Sequence, residues 1–271
     1  MELITILLSG IASLFSLTGV VVDKNVETAL LAQIDRAEQL QVRADNAPVH
    51  QVLDGKINKL RIAGRGLWVT KDLRVDTLDI ETDPIAVDLK AVQADQKSGN
   101  SASAASAAFK QPLQAGLRFK VNEEDLNNYL KSPDAIAQLQ KMTTSTFGGA
   151  AGSLNKDYQI TNPQVRFLAN NRVGLKAELQ DPGSGEKLTI TLEAGVNVIG
   201  GRKLQLVEPT AMVGATPVPP FILSGLTTSM SERLNVDVLA ARGLQARILR
   251  FKVDPQQLEL AAFVRIPGKS Q

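Results

Sequence analysis

The stretch Leu188-Thr189-Ile190-Thr191-Leu192-Glu193-Ala194-Gly195-Val196-Asn197-Val198 decides the fold class. Leu188, Ile190, Leu192, Ala194, Val196 and Val198 alternate with Thr189, Thr191, Glu193 and Asn197. A period of two puts one set on a buried face and the other in water, the habit of an antiparallel strand. Two further stretches repeat it. Ile85, Val87, Leu89 and Ala91 alternate with Asp88 and Lys90, and Leu258, Leu260, Ala262, Val264 and Ile266 with Glu259 and Arg265. Apolar faces this long must be covered by a helix, a second sheet or a ligand.

Helical stretches interrupt the strands. Val26, Leu30, Ile34 and Ala37 form a stripe predicting a helix over Val26–Leu40, with Asp23 or Asn25 at its start. Asn122 precedes Glu123–Leu130, whose first turn is acidic as the helix dipole favours. Pro133 opens a short helix through Met142. Pro219-Pro220 opens another through Leu234, with Ile222, Leu226, Met230 and Leu234 as its apolar stripe. Strands are expected at Gln41–Asp45, Lys56–Ala63, Leu67–Val69 and Leu73–Ile80, with Gly64 and Gly66 bracketing a turn. Leu73, Val75 and Thr77 share one face, Leu78 and Ile80 the opposite parity, a slip that suggests a β-bulge. Later strands follow at Leu117–Val121, Tyr158–Ile160, Val165–Leu168, Val173–Leu179, Leu204–Val213, Gln245–Val253 and Leu258–Ile266, with Asn162-Pro163-Gln164 as a turn. Residues 94–112 contain a small, polar run from Ser98 to Ser106 and read as a flexible loop within one domain over residues 23–271. The fold class is α+β: a long curved antiparallel sheet wrapping amphipathic helices.

Composition narrows the function. The net charge is +2, without a dense basic run, which argues against nucleic acid and allows weak attraction to an anionic membrane. Cysteine is absent, so disulfides, thiolate nucleophiles and Cys-based zinc sites are excluded. The single histidine, His50, would have to serve any His-based triad, and no Gly-x-Ser-x-Gly elbow or other nucleophile motif accompanies it. Gly64-x-Gly66 precedes no helix and is no phosphate loop. The Glu123–Asp125 acids belong to a helix start, and Asp76, Asp79, Glu81 and Asp83 face water or a turn. Neither a metal nor a cofactor is expected. Aromatic residues make up only 4% of the chain. A smooth aliphatic interior suits acyl chains, where contact is non-directional and scales with apolar area. The scarcity of aromatics also argues against a membrane β-barrel, which carries aromatic girdles.

Ile4–Val22 is apolar and uncharged, but Glu2 precedes it and no basic residue does. It fits a signal-like segment, a membrane anchor or a docked helix.

The segment Leu40–Pro48, then Val52-Leu53-Asp54-Gly55-Lys56-Ile57-Asn58-Lys59-Leu60-Arg61-Ile62, and the later Leu73–Ile80 resemble the LmeA-like phospholipid-binding family over about residues 26–266. The resemblance implies an envelope or membrane-associated protein that binds phospholipid, in the periplasm or at a thylakoid or cell-envelope membrane. It also implies similarity to tubular (TULIP-like) lipid-binding folds, in which a curved sheet wraps a helix around a greasy tunnel.

These readings converge on a non-enzymatic lipid-binding or lipid-transfer protein, with a scaffold of a membrane complex as the alternative. A lipid-acting enzyme built on His50 is a third reading. The expected lipid-binding residues are Leu30, Ile34, Leu60, Ile62, Ile80, Val87, Leu89, Phe119, Ile190, Leu192, Leu226 and Met230. Lys56, Lys59 and Arg61 are candidates for the head group, and Phe221-Ile222-Leu223 for contact with a membrane surface.

Overall fold

A computed structural model describes residues 27, 31, 34–45, 56–86, 109–147 and 158–268. The expectations for Met1–Val22, His50, the Ser98–Ser106 run, Leu30, Val87 and Leu89 lie outside the described residues, as does the side chain of Leu226. The chain divides into two compact units. The first comprises Met1–Lys120, Val236–Arg250 and Leu260–Gln271, the second Val121–Asn235 and Phe251–Glu259.

Alternating strands pair mostly as antiparallel ladders, as the period-two pattern requires. The strands of the first half are β1 (Arg36–Asp45), β2 (Lys56–Ile57), β3 (Lys59–Thr70), β4 (Leu73–Thr82), β5 (Ile85–Ala86) and β6 (Leu113–Asn122). The last two are β12 (Gln245–Asp254) and β13 (Gln257–Ile266). Among the described residues they build a six-stranded sheet in the order β1-β3-β4-β6-β13-β12, with β2 paired to β5. Ile62 stands opposite Ile80, and Ile80 opposite Leu117; Leu78 stands opposite Phe119. These side chains are buried together with Val75, Leu73 and Phe109. Phe109 is thus a core residue at the end of the stretch expected to be loop.

Strand pairing corrects three expectations. Arg36–Leu40 is strand, not helix: its register runs from Arg36 opposite Trp68 to Asp45 opposite Lys59. The Arg36 guanidinium lies 4.0 Å from the Trp68 ring centroid, so long-range pairing and a cation–π contact override a local helical stripe. Gly64 and Gly66 bracket no turn, because β3 passes straight through them. A Cβ at Gly64 would lie 2.6 Å from a Leu67 methyl, and Gly66 has φ +55°. The parity slip in β4 is also no bulge. Arg65 pairs with Thr77 and Leu67 with Val75 in continuous register, so β3 and β4 change their buried parity together, beside left-handed Gly66. Gly66→Ala would hold an L-residue in that conformation and should lower stability by about 1–2 kcal/mol. The urea midpoint of the purified variant reads this directly.

The second unit is built on a five-stranded sheet. Its strands are β7 (Gln159–Leu168), β8 (Arg172–Gln180), β9 (Lys187–Ile199), β10 (Lys203–Val213) and β11 (Thr216–Pro217), in the order β11-β10-β9-β8-β7. The helices of this unit are α1 (Glu123–Leu130), α2 (Pro133–Phe147) and α3 (Pro220–Arg233). Asn122 occupies the cap position of α1, but its side chain donates to the Asp125 carboxylate rather than accepting from the backbone. The Glu123 N–H donates to the Gln256 carbonyl.

Asn162-Pro163-Gln164 is not a turn between two strands but a bulge inside one. Thr161 pairs with Glu178 and Gln164 with Lys176, so β7 carries one extra residue. β10 does the same between Val207 and Thr210. Each bulge places a left-handed residue, Asn162 or Glu208, directly before a proline. The bulges let residues of opposite parity stay on one face: Ile160 with Val165, and Leu206 with Ala211.

Helix side chains occupy the outer edge of β7. Asn127 of α1 accepts from the Val165 N–H at 2.8 Å and donates to its carbonyl at 2.9 Å. Glu123 accepts from the Phe167 N–H at 2.5 Å. Gln140 of α2 accepts from the Ile160 N–H and donates to the Tyr158 carbonyl. These polar groups take the place of a neighbouring strand and protect the edge from pairing with another chain. Asn127→Ala removes both bonds at once and should cost about 1–3 kcal/mol for each backbone group left unpaired. Faster hydrogen exchange at Val165 would accompany that loss. Unchanged exchange there would show that the side chain does not protect the edge.

Candidate functional site

Strand parity places Val173, Leu175, Ala177 and Leu179 of β8 on the face that carries Leu188, Ile190, Leu192, Ala194 and Val196 of β9. Leu175 stands opposite Leu192, Ala177 opposite Ile190 and Leu179 opposite Leu188. On the next strand Ala211 faces Leu192 and Val213 faces Ile190. β7 contributes Ile160, Val165 and Phe167.

This apolar face is closed at one end and open at the other. At the closed end Val165 and Phe167 pack with Val253, and Leu126, Leu130, Val173, Phe251 and Leu258 lie against them. Ala194 and Val196 are buried beside that end. Further along β8 and β9, Ala177, Leu179, Leu188, Ile190 and Leu192 are only half-buried, and Leu175 is 37% exposed. Ala211 and Val213 are half-buried too. The result is a contiguous strip of aliphatic side chains without a full covering.

α3 packs with a different stripe from the one its aliphatic residues suggest. Among its described side chains Leu223, Thr227 and Ser231 are the buried ones, recurring at i+4. Ser231 Oγ accepts from the Leu206 N–H on the free edge of β10 at 3.1 Å. The Leu234 carbonyl accepts from the Leu204 N–H. Ile222 is exposed, and Met230 and Leu234 are half-buried. A hydroxyl can reach a strand edge where a leucine cannot, and that decides which side of the helix turns inward.

The opposite face of the sheet is polar. Lys176, Glu178 and Gln180 stand opposite Thr191, Thr189 and Lys187. Glu178 accepts from Lys187 at 3.2 Å and from Asn162 at 3.1 Å. Those two hydrogen bonds, Lys187 first, hold its carboxyl below the usual carboxylate range. Charge is thus confined to one side, and the strip offers contact without direction, suited to a long aliphatic ligand and unsuited to acid–base chemistry. Among the described residues no group of His, Cys, Asp or Glu is placed to hold a metal ion.

The twelve residues expected to line a lipid site fall into separate places. Ile190 and Leu192 lie in the open strip, and Met230 on α3. Leu60, Ile62, Ile80 and Phe119 lie on strands of the six-stranded sheet and are buried. Ile34 is half-buried just before β1. Sequence reasoning missed Leu175, Leu179 and Leu188 as candidates. The signal was present in the alternation, but only the strand register shows that Leu175 meets Leu192.

The head-group candidates belong to the wet face of the first unit. Lys59 donates to Glu81 at 2.6 Å and Arg61 donates to it at 3.0 Å, while Arg61 also pairs with Asp45 at 3.1 Å. The two donated bonds, from Lys59 foremost, lower the pKa of Glu81 from its ordinary value. A shallow trough of about 430 Å³ crosses this face, floored by Ala63, Gly116 and Ala261 and flanked by Arg61, Arg118 and Leu249. Lys56 is exposed on β2.

No helix among the described residues is long and apolar enough to cross a membrane. Comparison with curated proteins and with solved structures gives no match. A family model does match, and it covers residues 16–263 of the 271-residue chain. Its span takes in the five-stranded sheet, all three helices described above and the six-stranded sheet as far as Phe263 in β13, and on that match the chain belongs to the LmeA-like phospholipid-binding family.

Proposed function

We propose that this protein carries phospholipid without chemically altering it, and delivers it at a membrane. The acyl chains would lie along the aliphatic strip of the second unit, over Leu175, Ile190, Leu192 and their neighbours. The observation that carries this reading is the strip itself. It is apolar, contiguous across three strands, and half-open in a chain whose family binds phospholipid. Each methylene of an acyl chain removed from water there contributes about 0.8 kcal/mol, so a chain of ordinary length supplies ample affinity. The head group would remain outside the strip, in water or among lipid head groups.

Native mass spectrometry of the full chain, with solvent extraction and lipid analysis of the same sample, tests the proposal. Stoichiometric phospholipid is the expected result, together with transfer of labelled phospholipid between vesicle populations. A folded chain without bound lipid and without transfer activity would favour a scaffold role, in which a protein partner covers the strip.

A further inference from the structure

From Pro209 through Ser231 the chain holds no Asp, Glu, Lys, Arg or His, although charged residues make up 21% of the whole. The stretch is not one element. It comprises the end of β10, the Gly214 turn, β11 and most of α3. Register brings these parts together at one end of the five-stranded sheet: Met212 pairs with Pro217, Val213 with Thr216, and the Gly214 N–H donates to the Thr189 carbonyl. Its exposed residues include Met212, Thr216, Pro217, Pro219, Pro220 and Ile222, with Phe221 at 76% exposure.

A second, independent observation concerns hydrogen bonding. A helix start normally presents unsatisfied N–H donors to solvent. At α3 Pro220 has no N–H, and the N–H groups of Ile222 and Leu223 both close on the Pro219 carbonyl. The hydroxyls turn inward as well. Ser224 donates to the Phe221 carbonyl at 2.8 Å, Thr227 to Leu223 at 2.9 Å and Thr228 to Ser224 at 2.8 Å. The Val218 N–H is bonded to the Ala211 carbonyl. This surface therefore meets much of its own hydrogen-bonding demand.

We infer that the β10–β11 turn and the first turn of α3 form a neutral docking tip that enters the interfacial region of a lipid bilayer. A bilayer penalises charges and unpaired backbone groups, and the tip carries no charge and pairs many of its polar groups internally. A protein partner would ordinarily be recognised by hydrogen bonds across the interface, roughly one per 100–200 Å². Donors and acceptors turned back on their own helix do not serve that purpose. Exposed Phe221 and Ile222 supply the apolar contact that holds an amphipathic element in the headgroup boundary. The inference deepens the lipid-carrying reading by naming the surface the protein docks on, and rests on that reading for the choice of a bilayer.

The chain has no native cysteine, so a single introduced thiol can be labelled uniquely. The test uses full-length F221C, T216C and L249C, each carrying an environment-sensitive nitrobenzoxadiazole label. Leu249 is 64% exposed and lies in the first unit, which makes it the control. With phosphatidylcholine vesicles, the label at 221 and 216 should shift to the blue and brighten several-fold. Nitroxide-bearing acyl chains should quench it, and high salt should leave the signal intact because no ion pair is involved. The label at 249 should not respond. No shift at 221, an equal shift at 249, or a signal abolished by salt would each overturn the tip. Vesicles that co-sediment with the protein while 221 stays silent would assign the contact to another segment and overturn it equally. Lipid analysis of the same preparations separates the two proposals: a shift at 221 in a chain that binds no lipid would refute lipid carriage and leave the tip standing.

Discussion

Leu175→Asp should reduce bound phospholipid by at least about tenfold while leaving the fold intact. The side chain is 37% exposed, so a carboxylate can reach water in the lipid-free protein and the stability loss should stay within about 1–2 kcal/mol. With lipid in place the same carboxylate would be forced against acyl chains. The loss then combines the missing leucine contact, at most about 1 kcal/mol for a side chain only 37% exposed before lipid binds, with the cost of desolvating a charge. Every 1.4 kcal/mol is about a factor of ten in affinity. Leu192→Asp on the paired strand should remove the lipid too, with a larger loss of stability because the residue is more covered. Lys176→Ser, one position along β8, changes the opposite face and should leave lipid occupancy unchanged. Phospholipid extracted per mole of protein decides the matter. Full occupancy in a folded Leu175→Asp variant would remove the strip as the binding surface.

Phe167→Ala should have the largest effect on stability, about 3–5 kcal/mol. Phe167 is buried against Val165 and Val253, with Leu126, Leu130, Phe251 and Leu258 around that core. Truncation leaves a cavity where α1 meets β7, and domains of this kind have only about 5–15 kcal/mol in total. The cavity also loosens β8, because Phe167 pairs with Val173 and Val165 with Leu175. Thermal unfolding should show an early loss of structure, and lipid occupancy should fall with it. Phe167→Leu keeps most of the volume and should cost less than about 1.5 kcal/mol. An alanine variant as stable as the leucine variant would mean that this cluster is not what holds the sheet's closed end.

Most of the strands and their parity follow from local rules. Alternation needs only neighbouring residues to be visible, and it picked out β9 and β13 almost to the residue. The same local rules misread Arg36–Leu40, whose apolar spacing fits a helix as well as a strand. Only the pairing with β3 resolves that ambiguity. Likewise, Asn162-Pro163 has the chemistry of a turn, and only the partner strand makes it a bulge.

For the candidate site the division is sharper. Alternation identified the apolar face containing Ile190 and Leu192, but the same alternation marks closed core positions such as Ile62. Exposure distinguishes the two, and exposure depends on what other elements cover. α1 reaches Val165 and Phe167 because Glu123 and Asn127 bind the edge of β7, while Leu175 stays 37% exposed. α3 turns Leu223, Thr227 and Ser231 inward because a hydroxyl satisfies the edge of β10, which leaves Ile222 and Phe221 outside. Which residues share a face is therefore written in the chain, since it is a property of the backbone period. Which of those faces stays open emerges only on folding, through polar contacts between helices and strand edges that lie far apart in the chain.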